Sequence, residues 1–533
     1  MRSGAQYVLA VDLGTSGCKT ALVSIHGEVA GWEYEPVPTQ LFNNGGAEQD
    51  PEAWWSAFLN TGQRLLAQGL IAPDQVVAVC CSTQGESTVA VDAEGQALRP
   101  CVLWMDTRGV NHLPGITRGR VNIGGFSPLR LIRWLRLTGG APSLTGKDPA
   151  AHMLLIKHEF PGVYAETAKF LNVLDFMNLR LTGRCVATHD SILTSWVTDN
   201  RNPSCIVYSD VLVRNSGIPR DKFPDIVPCT EVLGTLRPEV ANQLGLPRSV
   251  KVVAGSIDTA AAAVGSGAVG NYQAHLYIGT SSWLAAHVPF KKTAIFSAIA
   301  SLPCAIPGRY LMTALQATAG GNLAFLRDKI LYHKDELLIE ERVPDVYKIM
   351  DRIAERTQPG SNGLIFTPWS HGERSPVENP YLRAAVHNLS LENSREDLIR
   401  AVLEGVAFNN RWLLGPVERF LGQRLKEITI AGGGANSDVW CQIFADVLNR
   451  PIRQLADPIQ ANVLGAAFIA FTGLGMCKFS DVPDIVRIKK IYHPRPETKA
   501  TYEHQFREFL EIYRKTKGIY RRLNRAQNNR AQR

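Results

Sequence analysis

The first apolar run, Tyr7-Val-Leu-Ala-Val11, has the aliphatic and β-branched content of a buried strand. Asp12-Leu-Gly-Thr-Ser-Gly17 follows as a turn, and Lys19-Thr-Ala-Leu-Val-Ser-Ile25 returns as a second strand. Asp50-Pro51-Glu52 then puts an N-cap aspartate before a proline at the first helical position, with Trp54, Trp55 and Phe58 on the apolar face of that helix. Val76 to Cys80 and Thr88 to Val91 read as further short strands. Strands and helices alternating in this way indicate an α/β protein.

A second cycle begins near residue 250. Val252-Val-Ala254 is a strand, and Asp258 opens the small-residue helix Thr259 to Val264. His275-Leu-Tyr-Ile278 is a strand that runs into Gly279-Thr280-Ser281 and back out along Trp283 to Val288. An apolar strand, a Gly-Thr-Ser turn and an apolar strand thus occur twice, about 265 residues apart, which suggests a duplicated architecture with one hairpin per domain. The boundary falls among the small residues between Asp258 and Gln273. Farther on, Leu398, Ile399, Val402, Leu403, Val406 and Ala407 repeat at helical spacing and mark an amphipathic helix over 396–413. A strand over 428–431 ends in Gly432-Gly-Gly434, and the next helix carries Val439, Trp440, Ile443, Phe444 and Val447 on one face. Residues 458–471 read as a helix of small and apolar residues broken at Gly465.

Composition narrows the function classes. A chain of 533 residues is too long for one core, and 45% apolar with 20% charged residues is ordinary globular composition. No run of eighteen apolar residues occurs, and Asp12 breaks the first apolar stretch before any cleavage site, so neither a membrane span nor a secretory signal is expected. The ten cysteines show no Cys-x-x-Cys, which points to reduced thiols in the cytosol and no zinc site. The net charge of +8 is matched by Arg514, Lys515, Lys517, Arg521, Arg522, Arg525, Arg530 and Arg533, so the body is nearly neutral and the tail reads as a solvated extension. A nucleic-acid groove would need a basic stripe interleaved with aromatics, and the body has none.

Phosphoryl transfer needs backbone amides around the phosphates, a carboxylate near Mg²⁺ and a base for the acceptor's proton. Tight Gly-Thr/Ser turns supply such amides, and this chain has them at 14–17 and 279–281, with Asp12 beside the first. The glycines at 432–434 let a flat adenine or ribose approach the backbone. Each feature has a plainer reading: a hairpin turn, an N-cap at Asp258, a loop at 432–434. Together they lie at the carboxyl ends of strands, where open α/β sheets bind ligands. Gly265-Ser-Gly267-Ala-Val-Gly270 matches G-x-G-x-x-G but follows a helix and so reads as a turn, and Thr145-Gly-Lys147-Asp148 lacks the spacing of a P-loop.

These residues resemble the FGGY carbohydrate kinases from about Val8 to Gly475. Asp12-Leu-Gly-Thr-Ser-Gly-Cys-Lys19 is similar to the family's first phosphate motif, and Leu103-Trp-Met-Asp106-Thr-Arg108 to the stretch near its sugar site. Val252-Val-Ala-Gly-Ser-Ile-Asp258-Thr259 resembles the loop of its catalytic aspartate, and Ala431-Gly-Gly-Gly-Ala-Asn-Ser-Asp-Val-Trp440 its adenosine motif. Glu48 to Trp55, His371-Gly-Glu-Arg-Ser-Pro376, Leu403-Glu-Gly-Val-Ala-Phe408 and Ala461-Asn-Val-Leu-Gly-Ala-Ala467 fit as well.

The resemblance implies a two-domain actin-like ATPase fold, of the sugar kinase, hexokinase and actin class with ribonuclease H-like duplicated domains and a deep cleft between them. It implies a sugar-binding domain over 1–262, an ATP-binding domain over 263–485 and a helical basic tail over 486–533. Asp258 would be the general base, ionised in the cytosol if its carboxyl titrates at the ordinary pH of ~4. Asp12 would face Mg²⁺, directly or through water. Gly14, Thr15, Ser16, Lys19, Gly279, Thr280, Gly320, Gly433, Gly434 and Ser437 would hold ATP, and Gln84, Glu86, Trp104, Asp106 and Thr259 the acceptor. A homodimer is a further expectation from the family. Where xylulokinases carry Gln-Met-His-Gly this chain has Gln84-Gly85-Glu86-Ser87, closer to the Gln-Arg-Glu-Thr of glycerol kinases. Thr259, His152 and Leu155 also depart from the family pattern, departures that bear on D-xylulose more than on kinase activity. The expected activity is ATP-dependent phosphorylation of a ketopentose, with a glycerol or tetritol kinase, or a sensor of sugar and ATP without turnover, as alternatives.

Overall fold

The computed structural model describes residues 4–331 and 345–531, which form two α/β lobes. In the first lobe, β1 (Tyr7–Gly14), β2 (Gly17–Ser24), β3 (Val29–Pro36), β4 (Val76–Thr83), β5 (Val232–Thr235) and β6 (Lys251–Ile257) lie in the order β5-β6-β4-β1-β2-β3. β1, β2 and β3 form an antiparallel meander, β4 and β6 run parallel to β1, and β5 is an antiparallel edge. In the second lobe, β7 (Ala274–Ile278), β8 (Ser282–Val288), β9 (Tyr310–Gln316), β10 (Ile428–Ala431), β11 (Ile452–Leu455) and β12 (Ile488–Tyr492) repeat the plan as β9-β8-β7-β10-β11-β12. Pairing directions match strand for strand, and two short strands extend this sheet beyond β9. The duplication suggested by the two hairpins is present.

The sheets form where side chains alternate between two apolar faces. On β1, Leu9 and Val11 pack with Trp54 and Phe58 of α1 (Pro51–Ala67), while Val8 and Ala10 join a different core. Asp50 caps α1 by accepting from the Glu52 amide at 3.0 Å. The second core lies between the lobes and holds α2 (Asp258–Gly265) and α7 (Ala461–Gly473). It draws on both sheets, from Val8, Ala21 and Ala78 on one side to Trp283, Ala285 and Leu311 on the other. Between these helices in sequence come α3 (Gly320–Phe325), α4 (Val346–Arg356), α5 (Arg395–Leu421) and α6 (Asp438–Leu448), and α8 (Lys499–Ala531) ends the described chain.

Three elements differ from the sequence reading. α7 is unbroken at Gly465, because the glycine serves a close approach instead. A Cβ there would sit 1.9 Å from the carbonyl of Ala261, and one on Gly265 would sit 1.8 Å from that of Ala461. Backbone meets backbone where α2 crosses α7. The helix expected over 396–413 runs on through Pro416 to Leu421 and is opened by a reciprocal cap between Ser394 and Asp397.

Residues 486–533 are not a helical tail throughout. Ile488–Tyr492 is a strand at the edge of the second sheet, and α8 folds back with Tyr502 and Phe509 fully buried. Phe509 lies 5.4 Å from Trp369 and 5.9 Å from Phe408, ring centre to ring centre. Arg514, Lys515, Lys517, Arg521, Arg522 and Arg525 stand exposed on the outer face of α8.

A buried ion pair ties α4, α5 and α8 together. Arg400 Nε donates to Glu404 at 2.7 Å, Arg400 Nη1 to the Ala354 carbonyl at 2.5 Å, and the Tyr502 hydroxyl to Glu404 at 2.8 Å. Glu404 also receives the Gly360 amide and the Ser361 hydroxyl. Removing one member of such a pair strands the other charge in the core. Glu404→Ala is therefore expected to destabilise the fold by about 3–5 kcal/mol, measured by denaturant unfolding.

Candidate active site

The strand-to-turn junctions of both hairpins open onto the space between the lobes. The first turn is tighter than the sequence suggests: β1 runs to Gly14 and β2 starts at Gly17, leaving only Thr15 and Ser16 between. Asp12, near the end of β1, is partly exposed, and its Oδ1 accepts from Asn462 Nδ2 of α7 at 3.0 Å. Lys19 on β2 donates to the Ile459 carbonyl at 2.6 Å and lies 3.7 Å from Asp12. Two contacts thus join the first hairpin to the loop and helix of the opposite lobe.

Asp258 is the first residue of α2, and Ile257 occupies the cap position. Thr259 Oγ1 donates to Asp258 Oδ1 at 3.0 Å. The carboxyl is partly exposed yet deep in the cleft, and its pKa is raised to about 7. Desolvation is the main cause, the Thr259 hydrogen bond opposes it, and the nearby charges of Asp12 and Glu86 add to it. The expectation of an ordinary carboxyl titrating near pH ~4 therefore fails, because the sequence does not show how little water surrounds it. Across the same space, the Tyr277 hydroxyl is pushed up by burial and by Asp12 and Asp258, and its ring stacks on Trp283 at 4.1 Å.

On the acceptor side, Thr15 Oγ1 donates to Gln84 Oε1 at 2.8 Å and receives Trp104 Nε1 at 3.0 Å. Gln84 Nε2 donates to Gln49 Oε1 at 2.9 Å, so its amide braces the turn rather than facing open space. Asp106, expected at the acceptor, is fully buried: its carboxylate takes the Ala47 and Arg108 amides and the Arg108 guanidinium at 2.6 Å. It folds the 103–108 segment and has no capacity left for a ligand. Trp104 and Glu86 remain partly exposed in the cleft.

Glu86, in the left-handed region at φ 60°, has its pKa raised by burial, with Arg374 and Lys147 pulling it back. Neither cation was given a role from sequence: Arg374 lies in the His371–Pro376 stretch that fits the family, and Lys147 in the stretch set aside as a failed P-loop. No spacing rule could find them, because the three residues meet only through the fold. Burial and then Glu86 raise neighbouring Asp148 to about 7.

The nucleotide side is assembled by the second lobe. The amides of Gly320 and Gly321 donate to the carbonyls of Gly279 and Thr280, which packs the second turn against the start of α3 and leaves Thr280 exposed. After β10, Gly432 sits at φ 87°, and a Cβ there would lie 2.7 Å from the Ile278 carbonyl. Gly434 presses on the Ile278 side chain, whereas a Cβ on Gly433 would meet nothing within 4 Å. Gly433 is therefore the open surface of this loop. Ser437, expected to hold ATP, uses its hydroxyl otherwise: it caps α6 at the Trp440 amide and donates to Asp351 of α4 at 2.6 Å. A cavity of about 500 Å³ between α8 and the 359–363 loop holds none of these groups.

Two duplicated sheets, a cleft between them and the carboxylates of Asp12 and Asp258 at the ends of β1 and β6 define a two-domain ATPase of the sugar kinase and actin class. The chain belongs to the FGGY family of carbohydrate kinases: the family's N-terminal domain matches residues 7–265 and its C-terminal domain residues 274–474. It is similar to the xylulose kinase of Bacillus subtilis, at 26% identity over 96% of this chain and 98% of that protein. It is similar also to the gluconokinase of the same organism, at 25% over 97% of each. Among solved structures, gluconate kinase from Lactobacillus acidophilus superposes with a TM-score of 0.83 at 22% identity, covering 97% of this chain and all of that one. Xylulose kinase from Rhodospirillum rubrum gives 0.79 at 25%, with 97% and 100% covered. The protein is thus an ATP-dependent carbohydrate kinase. Among the described residues, no helix is long and apolar enough to cross a membrane.

Proposed function

We propose that the enzyme transfers the γ-phosphate of ATP to a hydroxyl of a ketopentose, with Asp258 as the general base. The observation that carries this reading is the meeting of Asp258 and Asp12 in one cleft, with Asn462 of the other lobe bonded to Asp12. The relatives named xylulose kinase, which match over nearly the full length, support the acceptor.

The residues present fit Mg²⁺ and ATP. Asp12 is a partly exposed carboxylate, and Gly433 offers backbone with free space above it. Asp12 would contact the cation, directly or through water; among the described residues no group of three or more His, Cys, Asp or Glu could hold a metal. Bound MgATP supplies the phosphoryl group and neutralises its oxygens. Asp258 accepts the proton of the attacking hydroxyl, and the Thr259 hydrogen bond to Oδ1 fixes the carboxylate. Trp104 and Glu86 wall the acceptor space.

The test is ADP release in the presence of D-xylulose, other ketopentoses, gluconate, glycerol and erythritol. Stimulation by a ketopentose supports the reading; if no sugar or polyol stimulates release, and Asp258→Asn alters nothing, it fails. Glu86 favours a second reading, a polyol kinase, since one carboxylate can accept from both hydroxyls of a vicinal diol. Glu86→Ala is expected to raise the acceptor KM about 10–100-fold with the ATP KM unchanged, the loss of a hydrogen bond to a charged group being worth about 1.5–3 kcal/mol. Glycerol as the preferred substrate, lost in this variant, would select the polyol.

A further inference from the structure

The junction that carries Asp258 is irregular. Pairing of β6 with β4 jumps from Val253 to Ser256, and Gly255 lies at φ 78°, where a Cβ would be 2.1 Å from the Cys81 carbonyl. Ile257, at the cap position of α2, has no side-chain oxygen for the first helical amides. A junction bent in this way needs anchors from outside its own strand.

Two buried side chains provide them. Asn178 Nδ2 donates to the Ala254 carbonyl at 2.8 Å, and the Ile257 amide donates to Asp190 Oδ2 at 3.2 Å. Asp190 follows the strand Val186–Thr188, is only 2% exposed, and is itself fixed: Thr188 Oγ1 donates to its Oδ1 at 2.7 Å and Cys229 Sγ approaches at 3.4 Å. Nothing in the sequence reading singled it out.

We propose that Asp190 is a positioning residue, holding the Ile257 amide so that the next side chain, Asp258, faces the acceptor. This rests on the reading of Asp258 as the base. Asp190→Ala removes the acceptor of the Ile257 amide, and Asp190→Asn keeps an oxygen there without the charge. A base displaced by about 1 Å loses about 100-fold in rate without any change in ligand contacts. Asp190→Ala is therefore expected to lower kcat about 10–100-fold with the ATP KM within about 2-fold, and Asp190→Asn to recover most of that loss.

Hydrogen exchange of the 251–265 segment, read by mass spectrometry without any acceptor, separates this proposal from the assignment of function. Its protection should fall in Asp190→Ala and return in Asp190→Asn. An enzyme that phosphorylates a sugar normally with alanine at 190, or equal losses in both variants, overturns the positioning role while leaving the kinase reading intact. So does unchanged exchange. Should the alanine variant fail to fold, Asp190→Ser keeps a polar side chain but draws its oxygen back by one bond from the Ile257 amide, and an unchanged kcat in that variant overturns the proposal equally.

Discussion

Asp258→Asn is expected to lower kcat by about 10²–10⁴-fold while ATP binds as before, because the amide keeps the shape of the side chain and cannot take a proton. The wild-type rate should depend on pH in a defined direction. The active form is the carboxylate, and the pKa is raised to about 7 by burial, so kcat/KM rises through neutral pH and levels off above it. Coupled ADP release measured from pH 5.5 to 9 checks this; a flat profile would remove Asp258 from the proton transfer. Stability should move the other way. A carboxyl whose folded pKa lies above its unfolded value holds its proton more tightly in the native state, so its contribution is favourable in acid and is lost as pH rises through 7. The asparagine variant is accordingly expected to melt no lower than wild type at pH 8. An inactive but equally stable protein distinguishes loss of the base from loss of the fold.

Gly465→Ala should disturb the molecule at its centre. The added Cβ would fall 1.9 Å from the Ala261 carbonyl, a backbone atom in a helix held on both faces by the sheets, so no rotamer change relieves the clash. Overpacking usually destabilises by about 1–3 kcal/mol, and this substitution is expected at or beyond the upper end. Activity should fall with it, since separating α2 from α7 shifts Asp258 on one helix and Asn462 on the other. Thermal unfolding and kcat measured together test this. Gly433→Ala serves as the contrast, because its Cβ meets nothing within 4 Å: unchanged melting with weakened ATP affinity would locate the nucleotide above it.

The repeated hairpins, the cap at Asp50 and the 428–440 strand–glycine–helix unit could be read from sequence because each is local. Alternating apolar residues, a proline after an aspartate and a glycine run carry their own structural meaning. Gly465 misled for the same reason: glycine weakens an isolated helix, and only the neighbouring helix reveals why it belongs there. Asp106 and Ser437 sit within the quoted motifs, but their polar atoms are taken up by other protein groups: Arg108 and the Ala47 amide for the one, the Trp440 amide and Asp351 for the other. Lys147, Arg374, Tyr277 and Asn462 complete the cleft through tertiary contact alone. The raised pKa of Asp258 is a property of the surrounding volume, which no linear pattern encodes.

The last stretch of chain has a practical consequence. Matching to the family ends at residue 474, yet β12 closes one margin of the second sheet, and α8 lays Tyr502 and Phe509 over Trp369 and Phe408. Shortening the protein to the matched portion would bare the hydrogen-bonding groups of β11 and uncover a patch of aromatic rings, two surfaces through which chains stick to one another. Residues beyond the two matched family domains thus cover surfaces through which this lobe would otherwise aggregate.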